Sequence, residues 1–310
     1  MHLSDPKKIN ERVCPACGAR ESVHFADERL DNTRVTDYTY ASRKQPEFMC
    51  HRLVRCTSCN LIYAPAPPDL SFLTSAYAEA AYDSAEEARC AAESYANALA
   101  PYVSELTSRT AAIDIGAGNG YLLSWFLRWG FGKAIGVEPS KAAIDAAPEE
   151  IRPLLREGMF SAEIVADVRP SLVCSFMTLE HVSEPGQLMR TVYELLEPGG
   201  LVAVVVHNWR GLLNRALGMR SPIIDIEHLQ LFSPESVSTL LREAGFDHIR
   251  VQTITNTYPL RYWLRLTPMH DKLKNRVENV LKRFGAAEVR IPLNVGNLLA
   301  VGQKAIGSSK

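Results

Sequence analysis

From Ala111 to Ile254 short apolar runs alternate with amphipathic stretches across short links. Ala111 to Ile115, Ala134 to Val137, Leu172 to Phe176, Leu201 to Val206 and His248 to Ile254 read as strands. Helices are expected over Tyr121 to Trp129, Ser140 to Ala147, Pro185 to Leu196 and Ser233 to Ala244. Successive strands joined through helices pair in parallel, because each crossover must carry the chain back along the sheet. The expected fold is therefore α/β, a doubly wound and mostly parallel sheet whose ligand crevice opens at the carboxyl ends of the strands. Pro198-Gly199-Gly200 stops one helix and returns the chain to the sheet. Residues 256 to 291 break the rhythm as a helical insert, and Leu298 to Val301 reads as a late strand.

With 310 residues, 46% hydrophobic and 22% charged, the chain can build one large core and a smaller attached unit. Its 34 Lys and Arg nearly cancel 35 Asp and Glu, so no long-range field gathers nucleic acid or an anionic membrane. No nucleic-acid partner is expected. The longest apolar run, Leu201 to Val206, is far short of the ~20 residues of a spanning helix. Met-His-Leu-Ser-Asp-Pro-Lys-Lys lacks the apolar region of a secretory leader, so a reducing cytoplasm without structural disulfides is expected.

Four of the 7 cysteines form two Cys-x-x-Cys pairs, Cys14 with Cys17 and Cys56 with Cys59. Two thiolates three positions apart on a tight turn face one ion, and two such turns make the tetrahedral sulfur set that zinc favours. Gly18 and Asn60 follow the pairs and readily take the positive φ of a metal knuckle. With all four ligands from protein the zinc is structural; a redox pair is the rival reading. Cys50 and His51 are rival ligands without knuckle spacing, while Cys90 and Cys174 read as buried small hydrophobes. Ala64-Pro65-Ala66-Pro67-Pro68 ends this unit, giving a zinc-binding, ribbon-like unit over 1–68, a helical lead-in over 69–110 and a main domain over 111–310.

The turn after the first strand of that domain reads Asp114-Ile-Gly116-Ala117-Gly118-Asn-Gly120-Tyr121. A dinucleotide loop needs its third glycine one position later and lays a pyrophosphate on the helix that follows. Asp114 repels a pyrophosphate and suits a ligand carrying an ammonium and a sulfonium, as S-adenosylmethionine does. Glu138, ending the next strand, is placed to accept bonds from two ribose hydroxyls.

These residues resemble the class I S-adenosylmethionine-dependent methyltransferases, whose core is Rossmann-like. The resemblance implies that Asp114, Gly116, Ala117, Gly118, Gly120 and Tyr121 form the cofactor loop, and that Glu138 with Pro139 holds the ribose. It puts adenine near Met159 and Phe160, and places Leu179-Glu180-His181-Val182 between cofactor and acceptor. The double knuckle, Tyr77, Tyr82 and the Glu227-His228 segment are similar to a bacterial subgroup that joins a zinc unit to this domain and modifies sugars, polysaccharide precursors or natural products. That likeness implies a small-molecule or sugar-type acceptor, a lipid-linked saccharide included. Alternatives are an RNA base methyltransferase with a zinc module and an inactive partner protein that keeps the fold; a nicotinamide-dependent oxidoreductase ranks below both.

Methyl transfer from a sulfonium is a direct displacement governed by alignment, to which a base adds for a hydroxyl or activated carbon. His181 ranks first as that base, followed by His228 and His207, with Glu180 orienting an imidazole or binding substrate. Tyr82 and Tyr77 are expected to close over the methionine end of the cofactor, and the excursion from Ala19 to Arg55 to cover the acceptor pocket. The insert from Tyr258 to Gly285 is basic with interleaved apolar residues, a lid or dimer surface, or a peripheral membrane contact.

Overall fold

The computed structural model describes residues 11–41, 46–267 and 269–306. The amino-terminal stretch over 1–8, read as lacking a secretory leader, lies outside them, as do short parts of the 19–55 excursion and of the insert. The described chain opens with β1 (Ser22–Ala26), β2 (Leu53–Cys56) and β3 (Ile62–Tyr63), then α1 (Leu70–Ala78) and α2 (Ala85–Glu105). Next come β4 (Ala111–Ile115), α3 (Tyr121–Arg128), β5 (Lys133–Glu138), α4 (Lys141–Asp145), β6 (Leu155–Glu157) and β7 (Leu172–Phe176). The chain continues with α5 (Pro185–Leu195), β8 (Leu201–Val206), α6 (Leu212–Leu217), β9 (Gln230–Leu231), α7 (Pro234–Glu243) and β10 (Asp247–Thr253). It ends with β11 (Asn256–Pro259), α8 (Leu260–Arg265), α9 (Asp271–Arg283), β12 (Arg290–Leu293) and β13 (Leu298–Gln303).

The main sheet has 7 strands in the order β10-β13-β8-β7-β4-β5-β6. From β8 to β6 every pairing is parallel, and β13 runs antiparallel between β8 and β10. β4, β7 and β8 are buried at every residue, so both faces must be covered. Alternate side chains divide the work: Ile113, Ile115, Val173, Val202 and Val204 pack with Met189 and Val192 of α5 and with Leu240 and Leu241 of α7. The smaller Ala112, Cys174 and Ala203 face Ala96, Leu99 and Val103 of α2 and Leu123 and Phe126 of α3. Each fully buried aliphatic side chain contributes about 1.5–3 kcal/mol, and together these two layers hold the strand ends in register.

The fold is the expected doubly wound α/β arrangement, with differences at the ends of elements. α4 stops at Asp145 because Ala147 precedes Pro148, and the proline ring disfavours helical backbone in the residue before it. Ser140 caps it as expected, its hydroxyl accepting from Ala143 N at 3.2 Å. The insert is more than a helix pair: β11 and β12 form an antiparallel stem that carries α8 and α9. Arg261 anchors it to α2 through Glu87, at 2.6 Å, and Glu86.

The amino-terminal segment builds a second sheet, ordered β1-β2-β3-β9. Its last strand comes from the far side of the chain, since Tyr63 pairs with Gln230 and Ile62 with Leu231. This pairing fastens the cysteine-bearing unit to the segment that enters α7. Among the described residues no helix is long and apolar enough to cross a membrane.

Candidate active site

A cavity of about 840 Å³ opens at the carboxyl ends of β4, β5, β7 and β8. At one end, β4 delivers Asp114, which is 4% exposed and lines the cavity. The following turn bends sharply at Gly116, with φ +75°. A Cβ there would collide with the Thr178 hydroxyl and lie 2.8 Å from Thr178 Cγ2, so a side chain would push apart the two loops that border the cavity. Glu138 closes β5 and fixes the turn: its Oε2 accepts from Gly118 N at 2.7 Å and its Oε1 from Ser140 N at 2.8 Å. Glu138 itself lines the cavity.

Ala117, Gly118, Tyr121, Pro139, Met159, Phe160 and Tyr82 join this lining, whereas Gly120 and Leu179 lie behind it. Leu179 is 0% exposed and belongs to the core. Asn119, which the sequence reading passed over, is 1% exposed with its Nδ2 buried and without a hydrogen-bond partner among the described residues. A buried amide left unsatisfied beside a cavity is stabilised only by what the cavity holds. Its position between Gly118 and Gly120 was the available signal. Two acids, a buried amide donor and a glycine turn fit a cofactor that carries cationic groups and neighbouring hydroxyls.

At the other end the cavity is lined by His181, His207, Glu227 and His228. His181 follows β7, His207 follows β8, and Glu227 and His228 precede β9. The His181 and His228 rings lie 5.0 Å apart, and those of His207 and His228 5.2 Å apart. Glu227 Oε2 is 3.8 Å from His181 Nδ1, and its Oε1 is 3.9 Å from His228 Nε2. His228 Nδ1 lies 2.9 Å from the Ile223 carbonyl, which can only accept, so Nδ1 carries a proton and Nε2 is the nitrogen turned toward Glu227. The Tyr77 hydroxyl is 3.3 Å from His181 Nδ1, and burial raises the phenol well above its ordinary range. Burial also lowers His207 to about 4, partly opposed by its bond to Asn297 Oδ1 at 3.1 Å.

Glu180 is placed differently from the expectation. It is 0% exposed and does not line the cavity; its Oε1 accepts from His207 N at 2.6 Å. Its Oε2 is buried without a hydrogen-bond partner among the described residues, and burial raises the carboxyl to about 7. Glu227, whose motif was noted without a role, is the carboxylate that stands between two histidines. Asn256 of β11, also passed over, lines the same end with a buried Nδ2 that has no partner among the described residues.

The profile of a family described as "Methyltransferase domain" matches residues 84–251, more than half of the chain. The chain belongs to this family. It is a methyltransferase. Its structure is similar to a SAM-dependent methyltransferase from Archaeoglobus fulgidus, at 15% identity over 76% of this chain and 100% of that one, with a TM-score of 0.47. A SAM-dependent methyltransferase from Thermotoga maritima shows 20% identity over 70% and 91%, TM-score 0.44. Phosphoethanolamine N-methyltransferase 2 of Haemonchus contortus, in complex with S-adenosyl-L-methionine, shows 14% over 68% and 52%, TM-score 0.42. No curated protein sequence matches the chain.

Outside the cavity, the methyltransferase gathers Cys14, Cys17, Cys56 and Cys59 into one cluster whose sulfurs all lie within 4.8 Å. The two knuckles are built alike. Cys14 N donates to Ala19 O and Gly18 N to Cys14 O, as Cys56 N does to Leu61 O and Asn60 N to Cys56 O. Gly18 and Asn60 take φ of 70° and 60°. Separations of 3.5 Å for Cys14 to Cys59 and 3.6 Å for Cys17 to Cys56 approach the ~3.8 Å edge of a tetrahedron with metal–sulfur bonds of ~2.3 Å, so the sulfurs fit a thiolate-bound ion. The hydrogen bond from Cys59 lowers Cys14 to about 5 and raises Cys59, while burial raises Cys17 to about 11. Cys50 lies outside the cluster, its thiol 3.8 Å from Asp27 O, and His51 is buried and lowered to about 4. Cys90 and Cys174 are buried in the core.

Proposed function

We propose that this methyltransferase acts on an oxygen or carbon of a small-molecule or sugar-type acceptor, with His228 taking the acceptor's proton. The observation that carries the reading is that His181, Glu227 and His228 face the same cavity as Asp114 and Glu138, so a proton acceptor and a cofactor loop share one enclosure. S-adenosylmethionine supplies an electrophilic methyl group on a sulfonium. Asp114 pairs with the cofactor's ammonium, Glu138 accepts from its ribose and Asn119 donates to it. Ala117, Gly118 and Tyr121 shape the loop, Gly116 and Gly120 allow its turns, and Pro139, Met159, Phe160 and Tyr82 form the apolar walls.

His228 Nε2 is the base because the Ile223 carbonyl fixes the proton on the other nitrogen, and Glu227 offsets the charge gained. His181 and Tyr77 position the acceptor beside it. His207, held neutral by burial, and Glu180, turned into the core, support the loops rather than react. Tyr258, Leu264, Val277 and Leu281 of the insert roof the cavity and keep water from the methyl group. Alignment of this kind supplies ~7–11 kcal/mol of a displacement barrier. A base contributes a further ~10²–10⁴ in rate.

The four cysteines hold a structural zinc, with no open position for substrate. Leu273 and Val280 of α9 and Phe284 at its cap share one face and are exposed by 49%, 50% and 78%, with Lys282 and Arg283 in the last turn. That face suits an anionic membrane surface carrying a lipid-linked saccharide, and flotation with anionic liposomes at low salt tests it. For the reaction, isothermal titration with S-adenosylhomocysteine and a screen of hydroxylated and keto-sugar acceptors for its release are decisive. Failure of the chain to bind S-adenosylhomocysteine, or product formation undiminished in His228→Asn, overturns the reading.

A further inference from the structure

The cysteine unit and the histidine cluster are linked by a chain of hydrogen bonds, centred on Arg12 and Gln230. Arg12 lies two residues before Cys14, and its backbone N donates to Pro65 O at 2.8 Å. Its Nε donates to Ala64 O at 2.9 Å, and Nη1 donates to Ser183 O, two residues after His181. Nη2 lies 3.4 Å from Leu229 O, next to His228, and donates to Gln230 Oε1 at 3.1 Å. Gln230 is 0% exposed, and its Nε2 donates to Leu179 O and, at 2.7 Å, to Val182 O. Those two carbonyls bracket His181. The backbone N of Leu229 closes the circuit on Glu180 O at 2.7 Å.

Both N–H donors of the Gln230 amide and one lone pair of its oxygen are thus used, and each bond goes to a loop that bears a site histidine or to the guanidinium between them. The third loop is also tied: Trp209 Nε1, two residues past His207, donates to Asn60 O of the second knuckle at 3.0 Å. The Arg12 guanidinium lies between the two units, held by the carbonyls of Ala64, Ser183 and Leu229, so a shift of the loops takes carbonyls away from a cation that was paired with them. A network that ties three loops to one guanidinium and one buried amide specifies one arrangement where looser packing would allow several.

We propose that Arg12 and Gln230 are positioning residues for the methyl-transfer site: through them the cysteine unit sets the placement of His181 and His228. The inference rests on the reading of those histidines given above, but its test does not. The protein, labelled at histidine Cε1, is titrated by NMR as parent, Gln230→Met, Arg12→Met, Arg12→Lys and Arg12→Ala, with S-adenosylhomocysteine affinity measured on each. Gln230→Met keeps volume and removes the donors and acceptor; Arg12→Lys keeps charge and loses the planar fork.

The expected result is that the His181 and His228 resonances shift or broaden and their titration midpoints move in Gln230→Met and Arg12→Met. Arg12→Lys shows the same in smaller measure, the exposed His248 on β10 keeps its parent signal, and S-adenosylhomocysteine affinity stays within two-fold. Guanidinium ion added to Arg12→Ala returns both signals toward the parent positions. If His181 and His228 keep parent spectra in every variant, or if His248 moves with them because the whole fold loosens, the proposal is overturned. A result in which the clamp variants shift the histidines while His228→Asn remains fully active sinks the catalytic reading and leaves the clamp standing.

Discussion

Glu227 Oε1 lies 3.9 Å from His228 Nε2 and its Oε2 3.8 Å from His181 Nδ1, the two rings tilted 55° to each other, so one carboxylate serves two imidazoles from separate loops. Replacing either member of the base pair should therefore slow chemistry without weakening cofactor binding. His228→Asn is expected to lower kcat by ~10²–10⁴, and Glu227→Gln by less, with S-adenosylhomocysteine affinity unchanged by calorimetry.

Asp114→Asn keeps the shape of the loop and removes its charge. S-adenosylmethionine affinity is expected to fall by ~10- to 100-fold, the equivalent of one charge-assisted hydrogen bond of about 1.5–3 kcal/mol. Glu138→Gln should lose at least as much, because Gly118 N and Ser140 N each need an oxygen and the amide offers one. Isothermal titration of each variant measures both.

Gly116→Ala is expected to destabilise the fold by about 1–3 kcal/mol in urea unfolding, from positive φ and from contact with Thr178. Adding Thr178→Ala should recover the steric part alone.

Glu180 makes stability depend on pH in a definite direction. Burial raises the folded carboxyl from the ordinary 4.5 to about 7, so its contribution is complete below 4.5 and is lost as pH rises through 7. Glu180→Gln keeps an acceptor for His207 N and removes the ionisation. The variant should gain ~2–3 kcal/mol over the parent at pH 8 and nothing at pH 4, read by denaturant unfolding across that range.

The purified protein should carry about one zinc per chain by elemental analysis, released on thiol modification. Cys59→Ser should lose the metal and lower the thermal midpoint.

The parallel core was legible because β4, β7 and β8 are continuous apolar runs, and the glycine turn with its two acids stood out by spacing alone. The paired knuckles were equally plain, since Gly18 and Asn60 announce their own backbone geometry. Asn119 and Asn256 were hidden because an amide shows its function only when burial strips it of partners. Glu180 read as a site residue from its place beside His181, yet the loop after β7 turns neighbouring side chains opposite ways, one to the cavity and one to the core. The β3–β9 pairing had no local signal at all: two-residue strands carry no period, and their match depends on contacts distant in sequence.

That pairing has a consequence for how the molecule must be made. During synthesis the knuckles emerge before the large sheet, yet the edge of β3 stays bare until Gln230 and Leu231 follow, after most of that sheet has left the ribosome. A fragment ending at residue 68 would present that bare edge to its own kind, inviting self-association. Supplying the remainder of the polypeptide in trans, as a split protein, should cure it.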